Sequence, residues 1–214
     1  MFEILNWNYI IQILLSALAA LIAIIIHEVA HGYVAYLMGD LTAKKDGRLS
    51  LNPLKHLDLI GVLCLIIFKI GWAKPVPINP YMFKNRKKGI IFVSLAGVCA
   101  NFILAIISIT IMCLLYQLSG NVLIEILFLF FYNLAAVNIG LGIFNLIPIP
   151  PLDGSKVLAQ FLPLSARIKY LNFERFGGLV LFLLIYFGNL SKYLGIILSF
   201  VFEGLFSLIA GVLL

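Results

Sequence analysis

Two histidines and a glutamate lie close together inside an apolar run of the sequence. The segment IIIHEVAHGYVAY, residues 24–36, contains His27, Glu28 and His31. Because an α-helix has about 3.6 residues per turn, His27 and His31 would share one helix face, where two imidazoles can bind one metal ion. Glu28 would lie on the adjacent face, where it could act as a general base toward water. The H-E-x-x-H spacing therefore indicates a hydrolytic metal site.

A third protein ligand is needed, because a catalytic zinc site commonly has three. His56 and Asp153 are the two candidates. Asp153 belongs to NLIPIPPLDG, residues 145–154, where the prolines should end a helix and allow the carboxylate to turn inward. A carboxylate so close to an apolar helix needs a partner, which a metal or Lys156 would supply. His56 lies in a basic loop, where it could instead be a surface histidine or contact lipid headgroups.

The composition is that of an integral membrane protein. Hydrophobic residues make up 63% of the chain and charged residues 11%, and the mean hydropathy is +1.12. These values exclude an ordinary soluble domain. The net charge of +6 is concentrated in loops, which favours membrane topology over nucleic-acid binding. The three cysteines lie in apolar runs without C-x-x-C spacing, which favours packing over disulfides: Cys64, Cys99 and Cys113.

We predict an all-α polytopic membrane protein, a single domain over residues 1–214, with about five transmembrane helices. The expected helices are 8–38, 89–118, 122–147, 177–190 and 193–214. The first lacks a basic leader and a small-residue cleavage site, so we interpret it as retained and not as a signal peptide. Residues 59–72 are apolar but short for a span, and a proline-rich run follows them. We therefore predict a re-entrant or hairpin element over residues 59–80.

The basic loops predict the orientation. Three loops contain most of the lysines and arginines: 40–58, 84–88 and 156–175. They fall on one side, which should be cytoplasmic, if the chain re-emerges after residues 59–72 on the side where it entered. Residues 119–121 and 189–192 should then face outside. His27 would lie about 27 Å along its helix, in the cytoplasmic half of the membrane.

The paired motifs resemble those of the site-2 protease family of intramembrane zinc metalloproteases. H-E-x-x-H in a first helix is followed by N-x-x-P-x-P-x-L-D-G in a later one. GRLSLNPLKHLDLIG (47–61) and WAKPVPINP (72–80) are similar to the compact bacterial and archaeal branch, which lacks a PDZ domain. The resemblance covers most of residues 20–160. It implies a multi-pass protein of a prokaryotic cell membrane.

The resemblance also implies a role for individual residues. The implied ligands of one zinc ion are His27, His31 and Asp153, and the implied catalytic base is Glu28. SLAGVCAN, residues 94–101, resembles the family pattern S-x-A-G-P-x-x-N, with Val98 where proline is common. Asn101 is then implied to help hold the substrate strand or the oxyanion. Its alternative role is an interhelical hydrogen bond, because small and polar faces pack membrane helices.

Intramembrane peptide hydrolysis is the function that the resemblance implies, with single-span membrane proteins or signal-peptide remnants as substrates. The expected surroundings are the lipid bilayer, with no nucleic-acid partner. A metal transporter is one alternative, but it would need acidic or histidine residues at several depths, and the helices offer almost none besides Glu125. An inactive relative that binds membrane proteins is another. It would lack Glu28 or a ligand, whereas all four residues are present.

Overall fold

The computed structural model describes residues 7–58, 61, 74–118 and 120–213, and these residues are predominantly helical. The α-helices are α1 (Trp7–Met38), α2 (Thr42–Lys45), α3 (Arg86–Tyr116), α4 (Val122–Leu146), α5 (Asp153–Ala159), α6 (Leu164–Asn172), α7 (Glu174–Tyr186) and α8 (Leu190–Leu213). Short 3₁₀ turns occur at Pro53–Lys55 and Pro80–Met82. The all-α prediction is confirmed.

Four helices among the described residues are long and apolar enough to cross a membrane: α1, α3, α4 and α8. About five were expected. The difference is α7, which has 13 residues and therefore a length of about 20 Å, against about 30 Å for the hydrocarbon core of a bilayer. An apolar run had suggested a span at 177–190, but the structure ends this helix at Tyr186.

The long helices begin where the sequence supplies an N-cap. The Asn85 side chain accepts a hydrogen bond from the Lys88 amide at 3.0 Å, and Asn121 accepts one from the Leu123 amide at 2.9 Å. Asparagine is among the best N-caps because its carbonyl satisfies an amide that has no partner within the helix. These caps fix the starts of α3 and α4 beside the loops that precede them.

Helices α1, α3 and α4 pack against one another, and α8 packs on α3 and α4. The centre of the α3–α4 contact is an apolar cluster of Ala105, Ile109, Met112, Cys113, Ala135 and Ile139. Small residues in this cluster let the helices approach closely, which is how membrane helices gain contact energy. Cys113 is buried here, Cys99 is exposed, and Cys64 lies outside the described residues.

The direction of α8 corrects one expectation. The Gln117 side chain donates a hydrogen bond to the Leu213 carbonyl at 2.9 Å, so the last residues of α8 lie beside the last turn of α3. The beginning of α8 therefore lies at the opposite end of the bundle. The expectation that residues 189–192 face the same side as residues 119–121 is wrong, because α7 does not cross the membrane.

The three basic loops lie at one end of the molecule. The Lys84 amide donates to the Met38 carbonyl at 3.0 Å, and the Lys87 ammonium lies 5.2 Å from the centre of the Phe161 ring. The Lys74 amide donates to the His56 carbonyl at 2.8 Å. The chain after residue 73 therefore lies beside the chain that precedes residue 59. Most of the re-entrant element, residues 59–60 and 62–73, lies outside the described residues, and its form stays a prediction.

Candidate active site

Three side chains from two distant parts of the chain converge at the centre of the bundle. The Nε2 atoms of His27 and His31, one helical turn apart on α1, are 2.9 Å from each other. Asp153 Oδ2 lies 3.2 Å from Nε2 of His27 and 3.0 Å from Nε2 of His31. All three residues are buried. Within the part of the chain that the structure describes, they form the one group with metal-ligand geometry.

The other nitrogen of each histidine ring has an oxygen partner. His27 Nδ1 lies 2.5 Å from Asn101 Oδ1, and His31 Nδ1 lies 2.6 Å from the Val93 carbonyl oxygen. These oxygens can only accept, so each Nδ1 donates a proton to its partner. Each Nε2 is then left with its lone pair directed toward Asp153. This is the tautomer in which histidine binds a metal, and such partners fix the ring orientation.

The donor set fits a zinc ion. Two unprotonated Nε2 atoms and one carboxylate oxygen face the same point, and without a cation their lone pairs would repel one another. Zinc bonds of about 2.0–2.1 Å in tetrahedral geometry place neighbouring ligand atoms about 3.3 Å apart. The observed separations of 2.9–3.2 Å need only a small expansion. His56 is not part of this group, so the structure favours Asp153 over His56 as third ligand.

Asp153 is positioned by the break between two helices. Prolines at 148, 150 and 151 end α4, and Asp153 is the first residue of α5, which packs on α3 and α4. The Lys156 ammonium contacts Asp153 Oδ1 at 3.0 Å and leaves Oδ2 to the histidines. Burial alone would raise the pKa of Asp153. In the absence of a cation, protons shared by the imidazoles with Oδ2 and the Lys156 charge hold this pKa well below its ordinary value, so the carboxyl is ionised; a cation bound by the group would take the place of those protons.

Gly97 allows α3 to lie directly against the metal-binding group. A Cβ atom at Gly97 would lie 2.5 Å from His27 Cε1 and 2.7 Å from both ring nitrogens. Any side chain there would displace the imidazole, because non-bonded carbon atoms prefer about 3.5–4.0 Å. Position 97 therefore requires glycine, because only glycine leaves room for the His27 ring.

Asn101 lies behind His27, away from the cavity. It is 0% exposed. Its oxygen faces His27, and its nitrogen donates to Asn138 Oδ1 at 2.7 Å and to the Ala23 carbonyl at 3.3 Å. The Asn138 nitrogen in turn donates to the Leu134 carbonyl at 2.7 Å. The chain of hydrogen bonds fixes both amide orientations. Our expectation that Asn101 holds a substrate strand does not match this placement, since its polar atoms already have partners.

Glu28 lies at the edge of a cavity of about 590 Å³ beside the metal-binding group. Its Oε2 accepts a hydrogen bond from the Val76 amide at 2.8 Å. The lining includes Ser94, Asn145 and Lys156 along with apolar residues. The Asn145 side chain donates to the Leu141 carbonyl at 3.0 Å and, within the described part of the chain, makes no hydrogen bond to Asp153. The cavity thus brings a glutamate carboxylate, a basic side chain and a metal-ligand group close together.

His56 is buried, which makes the surface interpretation wrong. It is 1% exposed, and its Nε2 lies 2.7 Å from the Ser50 carbonyl oxygen. Among the described residues, Nδ1 has no partner. Its own carbonyl receives the Lys74 amide, so His56 supports the segment that returns toward Glu28.

The model of peptidase family M50 matches residues 15–187. The chain belongs to peptidase family M50. The candidate zinc metalloprotease YwhC of Bacillus subtilis is 39% identical over 176 residues, or 81% of this chain and 80% of YwhC. The candidate zinc metalloprotease Rip2 of Mycolicibacterium smegmatis is 28% identical over 193 residues, or 87% of this chain and 72% of Rip2.

A more distant relative of this M50 chain comes from an archaeon. The zinc metalloprotease MJ0392 of Methanocaldococcus jannaschii is 26% identical over 186 residues, 85% of this chain and 44% of MJ0392. No solved structure is significantly similar to the chain. The family membership confirms the resemblance to site-2 proteases and makes the protein a membrane-embedded peptidase.

Several residues of the M50 site were not singled out from the sequence. Asn138 belongs to no motif of the sequence, and the Val93 carbonyl and the Val76 amide belong to the backbone. A buried asparagine in an apolar helix was the available signal for Asn138. Nothing in the sequence distinguishes Val93 or Val76, because a backbone group gains its role from tertiary packing alone.

Proposed function

We propose that this M50 peptidase is an intramembrane zinc endopeptidase that cuts single-span membrane proteins or signal-peptide remnants near the cytoplasmic side. The observation that carries the proposal is the convergence of His27, His31 and Asp153 beside Glu28, within a cavity among membrane-spanning helices. The names of its relatives support zinc as the metal. One ion per chain is proposed, because the described residues supply one such group.

The four residues divide the chemistry between them. Zinc held by His27, His31 and Asp153 would supply Lewis acidity toward water and the scissile carbonyl. Glu28 would accept the proton of the attacking water and deliver it to the leaving amine. Asn101 acts through His27 as a positioning residue, because it holds the ring and does not line the cavity. Lys156 keeps one oxygen of Asp153 engaged, so that the other is available as a ligand.

The position of the site supports a substrate cut inside the membrane, close to the basic end. His27 lies about 16 Å along the α1 axis before Met38, within the apolar part of the helix. We propose that the basic end faces the cytoplasm, in accordance with the positive-inside rule. A helical substrate has its carbonyls hydrogen-bonded and shielded, so the cut segment must unwind first. Substrates should therefore contain helix-weakening residues near the cut.

The metal assignment is tested by zinc analysis of the purified protein after zinc loading. Wild type should retain about one zinc per chain, and His27→Ala should retain almost none. His56→Ala is the matched control, because it removes a buried histidine that lies outside the group, and it should retain zinc. A His27→Ala protein with a full complement of zinc would show that the group is not the metal site.

Cleavage is tested with paired single-span reporter proteins in liposomes. The two reporters differ only in a Gly-Pro or a Leu-Leu pair in the inner half of the span. Wild type should cut the Gly-Pro reporter faster, and Glu28→Gln should cut neither while keeping its zinc. Undiminished cleavage by Glu28→Gln would refute the role of Glu28. Equal rates on both reporters would refute the requirement for unwinding.

A further inference from the structure

The segment Lys74–Asn79, here called the strap, has no regular secondary structure and passes beside the site. Pro75 and Pro77 have no amide hydrogen. Val76 therefore carries the single N–H between them, and this N–H donates to Glu28 Oε2 at 2.8 Å. A neutral backbone donor is thus directed at one oxygen of the proposed catalytic base, and Oε1 has no hydrogen-bond partner among the residues that the structure describes.

Buried charges hold both ends of the strap. At its start, Arg48 Nη2 donates to the Lys74 carbonyl at 2.7 Å and to the Pro75 carbonyl at 3.1 Å. At its end, Asp40 Oδ2 accepts from the Asn79 amide at 2.6 Å. Arg48 is 8% exposed and Asp40 is 0% exposed. Charged groups are rarely buried to this extent. Arg48 donates to main-chain carbonyls of the strap, whereas Asp40 accepts from the Asn79 amide of the strap with Oδ2 and from Thr42 with Oδ1.

The middle of the strap is held against α1 by close packing. Val76 is 5% exposed, and a Cβ atom at Gly32 would lie 2.9 Å from Val76 Cγ1. Gly32 follows His31 directly, so the helix that carries Glu28 leaves space for the strap one turn further on. The position of the Val76 amide is therefore fixed by three independent contacts: Arg48, Asp40 and Gly32.

We propose that the strap is a positioning element for the catalytic base: the Val76 amide, held in place by Arg48 and Asp40, orients the Glu28 carboxylate for proton transfer. Glutamate has three rotatable side-chain bonds, and holding one oxygen restricts the other to a narrow range of positions. Catalytic groups lose rate steeply when displaced by about 1 Å. The catalytic part of this inference rests on the proposed function, whereas the hydrogen bond itself can be tested without any substrate.

Amide hydrogen exchange of the zinc-loaded protein tests the contact. Because residues 75–77 carry one amide hydrogen, exchange in this stretch reports on Val76 alone. Glu28→Ala removes the acceptor and should speed this exchange at least about tenfold, as expected when a protecting hydrogen bond is lost. Glu28→Gln keeps an acceptor oxygen and should stay near wild type. The Lys74 amide, bonded to His56, is the internal reference. Equal exchange at Val76 in Glu28→Ala and wild type would overturn the proposal.

Turnover of the Gly-Pro reporter tests the catalytic consequence. Val76→Pro and Val76→Ala both remove the valine side chain, but only Val76→Pro also removes the amide hydrogen. We expect kcat of Val76→Pro to lie about tenfold or more below that of Val76→Ala, with similar KM and equal zinc content, since general bases contribute about 10²–10⁴-fold. Equal kcat values would overturn the positioning role. If wild type cuts no reporter, the proposed function fails, and the exchange result still decides whether the strap holds Glu28.

Discussion

At the scale of single residues, the His27 ring is held from several sides. One ring nitrogen faces Asp153 in the metal-binding group, and the other faces Asn101. Gly97 packs directly against the ring. Asn138 extends this support into α4. Helices α1, α3 and α4 thus meet at the His27 imidazole. Its orientation depends on residues that lie outside the proposed metal-ligand group.

Replacing Asn101 by alanine should weaken zinc binding about 10–100-fold, the usual effect of losing a partner of a ligand histidine. The reason is that His27 loses the acceptor that fixes its tautomer. Zinc competition with a chelator of known affinity measures the change. Asn133→Ala is the control, since Asn133 lies on α4 and bonds to Ser16 away from the site. A loss of equal size in both variants would assign the effect to general helix packing.

Replacing Gly97 by alanine should remove zinc almost completely, because the added methyl group would occupy the position of the His27 ring. Gly195→Ala adds the same methyl group to α8, where nothing lies within 4 Å of the new atom. Zinc content after loading and washing provides the comparison. Normal zinc in Gly97→Ala would mean that α3 can shift away from α1 at little cost.

At the scale of elements, the loop between α4 and α5 is braced by the helices that follow it. The Tyr170 hydroxyl donates to the Pro148 carbonyl at 2.6 Å. Gly177, in the first half of α7, lies so close to Pro150 that an added Cβ would be 1.7 Å from its carbonyl oxygen. Asp153 follows directly. Although α7 is too short to span the membrane, it therefore helps to position the loop that leads to Asp153, the proposed third ligand.

The adjacent glycines of α7 provide a test of this bracing. Gly177→Ala should displace the proline loop and lower zinc affinity, because the new methyl group collides with backbone atoms that cannot rotate away. Gly178→Ala should leave zinc binding unchanged, since no atom lies within 4 Å of its added methyl group. Competition with a chelator measures the zinc affinities of the two variants. Similar affinities would show that the loop is held by α3 and α4 alone.

Asp40 gives the strap a defined pH dependence. Burial alone would raise the pKa of Asp40, but hydrogen bonds from Asn79 and Thr42 lower it from its ordinary 3.8. A lowered folded-state pKa adds stability that is fully present above pH 3.8 and is lost as the pH falls through the folded value. Asp40→Asn should therefore lower the free energy of unfolding at pH 7 by about 1–3 kcal/mol, which lowers the thermal midpoint.

The difference between wild type and Asp40→Asn should stay constant between pH 7 and pH 5 and shrink below pH 3.8. Thermal scans of the chelator-treated protein measure it without interference from metal release. A difference that is as large at pH 3 as at pH 7 would mean that the carboxylate charge does not contribute to stability.

At the scale of the whole molecule, the basic loops and the strap belong to one end. Cysteine labelling tests the orientation in a background without the three native cysteines. An impermeant maleimide added to intact cells should label Val122→Cys, whereas Lys87→Cys should react only after lysis. Ser191→Cys should behave like Lys87→Cys, because α8 begins at the basic end. Labelling of Ser191→Cys in intact cells would place this residue outside the cell and would mean that α7 crosses the membrane.

The sequence predicted the parts of this molecule that depend on local spacing. H-E-x-x-H fixes two ligands because helix periodicity alone brings His27 and His31 together, and the prolines before Asp153 mark a helix end. Contacts between distant segments were not predictable in the same way. The burial of His56, the Val76 contact with Glu28 and the direction of α8 depend on which surfaces pack together. An apolar run also cannot distinguish a spanning helix from a short bracing helix such as α7.

The separation of the ligands along the chain has a consequence for biosynthesis. His27 and Asp153 are 126 residues apart, so a ribosome working at about 5–20 residues per second delivers the aspartate roughly 6–25 seconds after the histidine. During that interval the two imidazoles of α1 lack the Asp153 carboxylate. We therefore expect zinc to be acquired late in maturation, and ribosome-bound chains truncated before residue 153 should hold the ion far more weakly than the released protein.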